Sequence, residues 1–464
     1  MKDLREFIAV LEREGQLKRI SAPVSAELEI TEIADRVVKR KGPALLFENV
    51  VGSDYPVLIN AFGSQRRMSL ALGDNLDKLL ELDMSNLLKL VPSATRVFSA
   101  PPSRVLKASC QEIAEEPNLD KLPILKCWPG DGGRFVTLPL VFTRDPDSGA
   151  QNMGMYRLQV YDAKTTGMHW HLHKDGHEIY EKYRKRGLSR MPVSVAIGCD
   201  PATVYAATAP LPKMIDELLF AGFLRRRPVP VVKCLTNEIR VPADAEFVLE
   251  GYVNIGELRE EGPFGDHTGY YSERGMYPVF HVEKLTRRKN PVYMATIVGR
   301  PPMEDCFLAK ATERIFLPLL RMIAPEIRDI SFPLEGVFHN CVIVAIDKKY
   351  PAHAKKVMNT VWGLGQMMYT KTVIVVDADV SPHDYSAVAW KAFNNIDARR
   401  DLVISDGPLD ALDHASPLKH QGARLGIDAT KKWIEECPRP FPDDIVMSGD
   451  IKRQVSERWR EYGF

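Results

Sequence analysis

Three residues that lie far apart in the chain could form one catalytic group: Arg157, Glu261 and Asp266. Glu261 and Asp266 flank a Gly-Pro-Phe-Gly turn, and a tight turn lets two acids five positions apart lean toward a common point. An arginine buried between two acids can bind a substrate carboxylate with two hydrogen bonds while one acid donates a proton. Spacing alone supports a structural salt-bridge network equally well.

A second group with chemical potential is the histidine cluster in MHWHLHKDGH, formed by His169, His171 and His173. Alternate residues of a strand share one face, so the three imidazoles would lie side by side. An HxHxH pattern can bind a metal in hydrolases, but strand histidines are often only hydrogen-bonded. The pattern therefore leaves metal ligation open, and no GxGxxG or Walker motif indicates a phosphate site.

Composition limits the class of protein. The 464 residues, 45% of them apolar, are enough for two or three domains. The 62 Lys and Arg residues against 61 Asp and Glu argue against a nucleic-acid partner. Seven cysteines without a CxxC pair indicate neither a disulfide framework nor a structural zinc site, and reduced thiols are typical of a cytoplasmic protein. The charged N-terminus is unlike a signal peptide, and no run approaches the roughly 18 apolar residues of a membrane span.

The elements that must position these groups fall into three regions. Residues 1–110 predict an α/β domain, with a helix beginning at Leu4 and buried strands at 43–50 and 55–62. A second helix and a proline-rich linker are predicted at 75–91 and 92–106.

The rest of the chain divides at about residue 305. Residues 111–305 predict short strands, typical of a barrel or sandwich, interrupted by one helix at 212–227. Residues 306–464 alternate helices with strands and predict a wound α/β domain.

Seven segments, in this order, resemble the UbiD family of prenylated-FMN-dependent decarboxylases: NMGMYRLQV, HWHLHKDG, IDELLFAG, AEFVLEGYV, EGPFGDHTGYY, MYTKTVIVV and ASPLKHQGARLGIDATKKW. The resemblance covers essentially the whole chain. It implies a mixed α+β and α/β fold, in which a central split β-barrel (111–305) binds the modified flavin. An N-terminal α/β domain (1–110) and a C-terminal wound α/β domain (306–464) would flank the barrel, the latter forming dimers that can assemble into hexamers.

The resemblance also implies roles for single residues. Arg157 would hold the substrate carboxylate, Glu261 would orient Arg157, and Asp266 would donate the proton that replaces carbon dioxide. Donation requires a protonated Asp266, so desolvation is expected to raise its pKa against the pull of Arg157. Neighbouring residues of an extended segment point to opposite sides, so Glu261 is expected to face inward and Glu260 to face solvent.

For the cofactor, the resemblance implies a divalent metal, Mn²⁺ or Mg²⁺, held by Asn152, His173 and Glu217, with His169 and His171 only as neighbours. Hard oxygen ligands and one imidazole suit such an ion. Lys371 matches a lysine at the flavin phosphate, and the loop at 206–210 resembles one that wraps the flavin. The implied cofactor contacts are Asn152, Gly154, Met155, Arg157, Leu172, His173, Thr208, Ala209, Pro210, Glu217 and Lys371. The carbonyls implied at a K⁺ site are those of Ala206, Ala207 and Ala209.

The expected activity is reversible, non-oxidative decarboxylation of an aromatic acid, with 4-hydroxy-3-polyprenylbenzoate or a menaquinone precursor as first candidate. A small phenolic, furan or heteroaromatic acid is the alternative, and a metal hydrolase using HxHxH is a distant one. The expected partners are a flavin prenyltransferase that supplies the cofactor and further copies of the chain, with no nucleic acid. The expected location is the cytoplasm, with peripheral contact at the inner membrane for a lipid-tailed substrate.

Overall fold

The computed structural model describes residues 1–73, 101–172, 174–213 and 215–463. Its helices are α1 (Leu4–Arg13), α2 (Glu29–Lys39), α3 (Gln65–Leu72), α4 (Asp175–Lys185), α5 (Pro201–Ala206), α6 (Glu217–Arg225), α7 (Glu304–Ile323), α8 (His353–Trp362), α9 (Tyr385–Asn394), α10 (Ala398–Asp401) and α11 (Gly449–Glu457). The helix predicted at 75–91 and most of the predicted linker lie outside the described residues.

The strands are β1 (Leu17–Ile20), β2 (Ala44–Phe47), β3 (Val57–Ile59), β4 (Ser103–Arg104), β5 (Ile113–Glu115), β6 (Phe135–Val136), β7 (Leu140–Arg144), β8 (Gln151–Met155), β9 (Leu158–Gln159), β10 (Thr165–Gly167), β11 (Arg190–Ile197), β12 (Pro230–Lys233), β13 (Arg240–Pro242), β14 (Phe247–Glu261), β15 (Gly275–Arg287), β16 (Tyr293–Met294), β17 (Ile327–Ser331), β18 (Cys341–Ile346), β19 (Thr372–Asp377), β20 (Leu402–Pro408) and β21 (Gln421–Asp428).

The N-terminal part builds a four-stranded sheet in the order β1-β2-β3-β16. Helix α1 buries all four of its predicted apolar positions, Leu4, Phe7, Ile8 and Leu11, because they recur at helical spacing. Strands β2 and β3 lie inside the two predicted segments and pair antiparallel. Since β16 comes from the end of the central part, the first sheet ties these two regions together.

The central part is an antiparallel sheet in the order β10-β15-β14-β11-β7-β8, with β5 also paired to β15. Strand β14 pairs with β15 over most of its length, with shifts of register near Gly251 and between Val253 and Leu258. Such shifts bend a strand and increase its twist. The predicted fold class, mixed α+β, is confirmed.

One expectation for this region is wrong. A single helix was predicted between 111 and 305, whereas α4, α5 and α6 all lie there. Helix α4 is mostly charged, and only Ile179, Tyr180 and Tyr183 give it a buried side. So short an apolar stripe is easily missed in a polar sequence.

The C-terminal part is a five-stranded sheet in the order β17-β18-β19-β21-β20, with parallel pairing among its three central strands. Successive residues of β18 point to opposite faces, so Val342 and Val344 pack with α7 and α8, whereas Ile343 and Ala345 pack with α9. Helices thus cover both faces, as expected for a wound α/β arrangement. None of the helices in the described ranges combines the length and apolar character needed to cross a bilayer.

Candidate active site

The structure brings Arg157, Glu261 and Asp266 together around one guanidinium group. Arg157 Nε donates to Glu261 Oε1 at 3.0 Å, and Nη1 donates to Asp266 Oδ2. The remaining nitrogen, Nη2, donates to Ser272 Oγ at 3.0 Å. All three nitrogens therefore have a partner, and the Arg157 side chain is only 9% exposed.

Two aromatic rings fix the plane of this guanidinium. Its central carbon, Arg157 Cζ, lies 4.5 Å from the ring centroid of Phe264 and 6.0 Å from that of Phe135. The face of an aromatic ring attracts a cation, and the attraction is stronger where water is excluded. Arg157 is thus oriented by hydrogen bonds at its edges and by Phe264 across its face.

The charges of this group stabilise one another. Burial lowers the pKa of Arg157, but the carboxylates of Glu261 and Asp266 outweigh burial and raise it overall. Burial raises the pKa of Glu261, but His169 and Arg157 outweigh it and lower the pKa overall. One buried cation therefore faces two buried anions, and the group as a whole carries one excess negative charge.

His169 supports Glu261 from the side opposite Arg157. Its Nδ1 lies 3.0 Å from Glu261 Oε2, and its Nε2 lies 2.5 Å from Nε2 of His171. Burial and the charge of Arg157 lower the pKa of His169, which favours the neutral ring. A neutral ring has one N–H, so Nδ1 donates to Glu261 and Nε2 accepts from His171.

The strand predicted for the histidine segment is wrong, because β10 ends at Gly167, before the first histidine. The N–H of Trp170 donates to the carbonyl of Met168 at 2.8 Å, so the chain turns here instead of continuing along the sheet. The rings of His169 and His171 nevertheless lie close together, with centroids 4.5 Å apart. His173 lies outside the described residues.

The loop between Glu261 and Asp266 is held by two buried side chains. Gln159 Oε1 accepts the N–H of Gly262 at 2.7 Å, and Asp131 Oδ1 accepts the N–H of Gly265 at 2.7 Å. The other oxygen of Asp131 accepts two further backbone N–H groups, from residues 127 and 128. Gly262 has a φ of +98°, which side chains rarely adopt. These contacts fix the distance between the two acids.

The expected rise in the pKa of Asp266 is wrong. Asp266 Oδ1 accepts the backbone N–H of His267 at 2.8 Å and lies 2.9 Å from Nδ1 of the His267 ring. Burial does raise the pKa of Asp266, but the charge of Arg157 and the contacts with His267 outweigh burial, and the pKa falls below its usual value. Asp266 is therefore ionised in the structure.

Asn152 on β8 and Glu217 at the start of α6 form a second polar site. Asn152 Nδ2 donates to Glu217 Oε1 at 2.9 Å, and the N–H of Met153 donates to Glu217 Oε2 at 3.1 Å. Asn152 Oδ1 is buried with no hydrogen-bond partner in the described part of the chain. Burial raises the pKa of Glu217 to about 7. A buried carboxylate beside an unpartnered amide oxygen fits a hard divalent cation.

The other predicted cofactor contacts lie in several environments. Gly154 and Met155 share β8 with Asn152, while Leu172 is 58% exposed. Lys371 Nζ donates to Asp413 Oδ1 at 2.8 Å, so its charge already has a partner.

The loop at 206–210 carries the carbonyls predicted to bind K⁺. Thr208 uses its hydroxyl to cap the carbonyl of Tyr205 at 2.8 Å, and Pro210 is half-buried. The carbonyl of Ala206 accepts the N–H of Ala209 at 3.3 Å, and that of Ala209 accepts the N–H of residue 211 at 2.8 Å. The carbonyl oxygens of Ala206, Ala207 and Ala209 each keep a lone pair that can make a further contact.

Several site residues were not predicted from the sequence, namely Ser272, Asp131 and Gln159. Ser272 closes the turn that begins after Glu261, since its N–H donates to the carbonyl of Phe264 at 2.8 Å. A polar residue on the return side of a tight turn was the available signal for Ser272. Asp131 and Gln159 contact the loop from segments far apart from it in the chain, so no local sequence signal could identify them.

Three family models match the chain. They are the N-terminal domain of 3-octaprenyl-4-hydroxybenzoate carboxy-lyase (UbiD) over 8–83, its Rift-related domain over 103–301 and its C-terminal domain over 306–429. An uncharacterized protein from Archaeoglobus fulgidus is 52% identical over 473 residues, which cover 99% of this chain and 98% of the relative.

Two solved structures are similar over nearly their whole length. Vanillic acid decarboxylase from Sedimentibacter hydroxybenzoicus, in a closed form, has a TM-score of 0.88 at 28% identity, covering 100% of this chain and 99% of that chain. An evolved dimeric form of the UbiD-class enzyme HmfF from Pelotomaculum thermopropionicum, in complex with prFMN, has a TM-score of 0.80 at 27% identity, covering 98% and 100%.

Proposed function

Given that this chain belongs to the UbiD family of carboxy-lyases and is an aromatic-acid decarboxylase of the prenylated-FMN class, we propose that its substrate is a quinone-pathway acid. The first candidate is 4-hydroxy-3-polyprenylbenzoate or a related menaquinone precursor. The observation that carries the catalytic assignment is the buried guanidinium of Arg157, held between Glu261 and Asp266.

Arg157 would bind the substrate carboxylate. Its fork of N–H donors matches the two oxygens of a carboxylate, and its plane is already fixed by Phe264. Glu261 keeps Nε occupied, so the substrate would compete for Nη1 and Nη2, which now contact Asp266 and Ser272. Binding of the acid thus exchanges one carboxylate for another at the same cation.

The exchange also prepares the proton donor. When Arg157 turns its charge toward the substrate, Asp266 loses part of the interaction that lowers its pKa and gains a second negative charge nearby. Both changes favour protonation of Asp266. Asp266 would then give the proton to the ring carbon that loses carbon dioxide, and its burial slows the exchange of that proton with solvent.

The residues around Glu217 fit the metal that would hold the cofactor phosphate. Asn152 and Glu217 would bind Mn²⁺ or Mg²⁺ together with His173, and Lys371 would leave Asp413 to contact the phosphate. Bound prenylated FMN supplies an electron sink for the negative charge left on the ring carbon. The carbonyls of Ala206, Ala207 and Ala209 are the proposed K⁺ ligands, and a homodimer or homohexamer is the proposed assembly.

The test is a substrate screen with protein co-expressed with a flavin prenyltransferase. Carbon dioxide release would be measured with 4-hydroxy-3-prenylbenzoic, vanillic, 3,4-dihydroxybenzoic and 2-furoic acids. We expect the prenylated acid to react fastest, and no reaction without the prenyltransferase. Faster turnover of one of the small acids would contradict the quinone-pathway assignment and support the alternative substrate class, a small phenolic, furan or heteroaromatic acid.

The same purified protein also tests the distant alternative, a metal hydrolase using the HxHxH histidines. It requires a colourless protein that is active with zinc and without flavin. In the structure, His169 is tied to Glu261 and His171, which does not leave it directed at a metal.

A further inference from the structure

A line of hydrogen-bonding groups runs from Asp266 away from Arg157. Asp266 Oδ1 lies 2.9 Å from Nδ1 of His267, and Nε2 of His267 lies 2.7 Å from Nε2 of His339. Nδ1 of His267 donates to the ionised carboxylate of Asp266. The hydrogen atom between the two Nε2 atoms can be bonded to either His267 or His339. The two histidines therefore share a proton position at hydrogen-bond distance.

The surroundings of this pair are largely buried and negatively charged. The ring of His267 stacks on Phe338 with centroids 4.7 Å apart. Besides Asp266, the carboxylates that bear on the two histidines are Asp305 at the start of α7, which acts on His267, and Asp410 after β20, which acts on both.

These neighbours affect the two rings differently. Burial lowers the pKa of His267, but its contacts with Asp266 outweigh burial and raise the pKa overall. Burial lowers the pKa of His339 to about 4. The next residue, Asn340, and Asp410 oppose this only in part. His267, next to Asp266, is thus the ring of the pair that takes up a proton more readily.

The proposed reaction consumes one proton in each turnover. An aromatic carboxylate plus one proton gives the arene plus carbon dioxide. The bond between ring carbon and carboxyl carbon breaks, and a new C–H bond forms with the proton from Asp266. Asp266 is left as a carboxylate after each turnover and must regain one proton before the next.

We propose that His267 and His339 form a relay that returns a proton to Asp266 in every turnover, an inference that rests on the proposed decarboxylation. His267 gives its Nδ1 proton to Asp266 Oδ1, and Nε2 of His267 takes a proton from Nε2 of His339. His339 then takes one at Nδ1, a buried nitrogen with no hydrogen-bond partner in the described part of the chain, from a water that reaches it. One proton enters and one leaves with the product, so the proton count balances. His267 then carries its hydrogen on Nε2 and His339 carries its hydrogen on Nδ1, and both rings must regain their starting tautomers before the next turnover.

The test compares His339→Gln with wild type as holoenzymes loaded with prenylated FMN, using the acid of the panel that wild type turns over fastest. Glutamine keeps a donor near the position of Nε2 but cannot accept and pass on a proton. We expect kcat to fall about tenfold or more at pH 8. The loss should shrink toward pH 6, where solvent protonates Asp266 more easily, while KM stays within about twofold.

Three further variants complete the experiment. His267→Asn keeps the donor toward Asp266 and removes Nε2, so it should show the same pH-dependent loss if His339→Gln fails to fold. His383→Gln is the matched control, because His383 is 40% exposed and pairs with Asp329 at 3.1 Å on the surface. Added imidazole should restore part of the rate of His339→Ala and leave the control unchanged.

The outcomes separate the relay from the proposed function. An active wild type whose His339→Gln variant keeps the wild-type pH profile, or loses the same factor at every pH, contradicts the relay alone. A wild-type holoenzyme that turns over no acid of the panel contradicts the proposed function and the relay with it. A pH-dependent loss with imidazole rescue supports both.

Discussion

Glu260 and Glu261 are neighbours at the end of one strand, yet their side chains lie in opposite environments. The side chain of Glu261 is fully buried, whereas that of Glu260 is 58% exposed and pairs with Arg274 at 3.1 Å. The prediction that Glu261 faces inward and Glu260 faces solvent is therefore confirmed. The chain thus contains its own matched control for the role of a carboxylate at this point.

The first prediction uses this pair. Glu261→Gln removes the charge that holds Arg157 Nε and His169, and losing one member of a positioned group should lower kcat roughly 100-fold or more. Glu260→Gln should change kcat by less than about threefold, as surface substitutions usually cost within about 0.5 kcal/mol. The measurement is turnover at equal flavin content. Similar losses from both variants would overturn the assignment of Glu261.

The second prediction concerns the polar site at Glu217. Glu217→Gln should give folded but nearly colourless protein, because the flavin phosphate would lose the metal that neutralises it. His173→Ala should behave in the same way. Asp216→Asn is the control, since Asp216 caps the same helix by accepting the N–H of Leu219 at 2.9 Å and an amide oxygen can do so too. Flavin absorbance and bound manganese are measured, and full flavin occupancy in Glu217→Gln would contradict the metal site.

The third prediction tests the loop that carries the acids. A Cβ at Gly132 would lie 2.2 Å from the carbonyl oxygen of Gly262, so Gly132→Ala must displace the backbone beside Glu261. We expect a loss of about 1–3 kcal/mol in stability from overpacking and at least a tenfold lower kcat.

Gly133→Ala is the control for this displacement. A Cβ there meets Nε2 of Gln159 at 3.3 Å and does not approach the backbone of Gly262, so it demands only a shift of a few tenths of an ångström in one of the side chains that hold the loop. The thermal midpoint and kcat of the two variants should therefore differ clearly. Equal behaviour would show that the loop position does not limit the rate.

The fourth prediction is a pH dependence of stability from Asp244. Burial, with the nearby charge of Asp200, raises the pKa of Asp244 to about 7, and neither of its oxygens has a hydrogen-bond partner in the described part of the chain. Because the folded-state pKa is raised, the stability contributed by the protonated form is present at acidic pH and lost as pH rises toward and through 7.

Asp244→Asn removes the ionisable carboxylate, so the variant does not lose stability through ionisation at this position as pH rises. A carboxylate buried without a hydrogen bond, with Arg225 Nη2 4.0 Å away, costs on the order of 1–3 kcal/mol when ionised. The variant should therefore unfold about 2–6 °C higher than wild type at pH 8, with the gain fading by pH 5. Thermal scans at a fixed rate measure the difference. A gain that is independent of pH, or a lower midpoint at pH 8, would contradict the ionisation of Asp244.

The sequence predicted best where one short segment contains the whole signal. The apolar spacing of α1 and the compact apolar runs of β18 and β19 specify their elements locally. The predicted helix at 212–227 was longer than α6, which ends in a left-handed residue, Arg226. Helix α2 and strand β21 were not predicted, although α2 has apolar residues at helical spacing, Ile30, Ala34 and Val38, just as α1 does.

For the site, residue types and resemblance located the acids but not their protonation. The pKa of Asp266 is set by Arg157 and His267 together, and only the folded chain shows that both reach the same carboxylate. In the same way, His339 is joined to the catalytic loop across 72 positions, a separation that no local pattern encodes. Electrostatic coupling depends on distances between side chains in the folded structure. The pKa shifts of the site could therefore not be predicted from the spacing of residues along the sequence.

The contact between His267 and His339 joins two family domains. Arg157, Glu261, Asp266 and His267 all lie within 103–301, whereas His339 lies within 306–429. Any hinge movement that separates these parts would break the histidine pair and leave the arginine and its two acids assembled. The proposed relay would therefore depend on contact between the two parts, whereas binding of a substrate carboxylate at Arg157 would not.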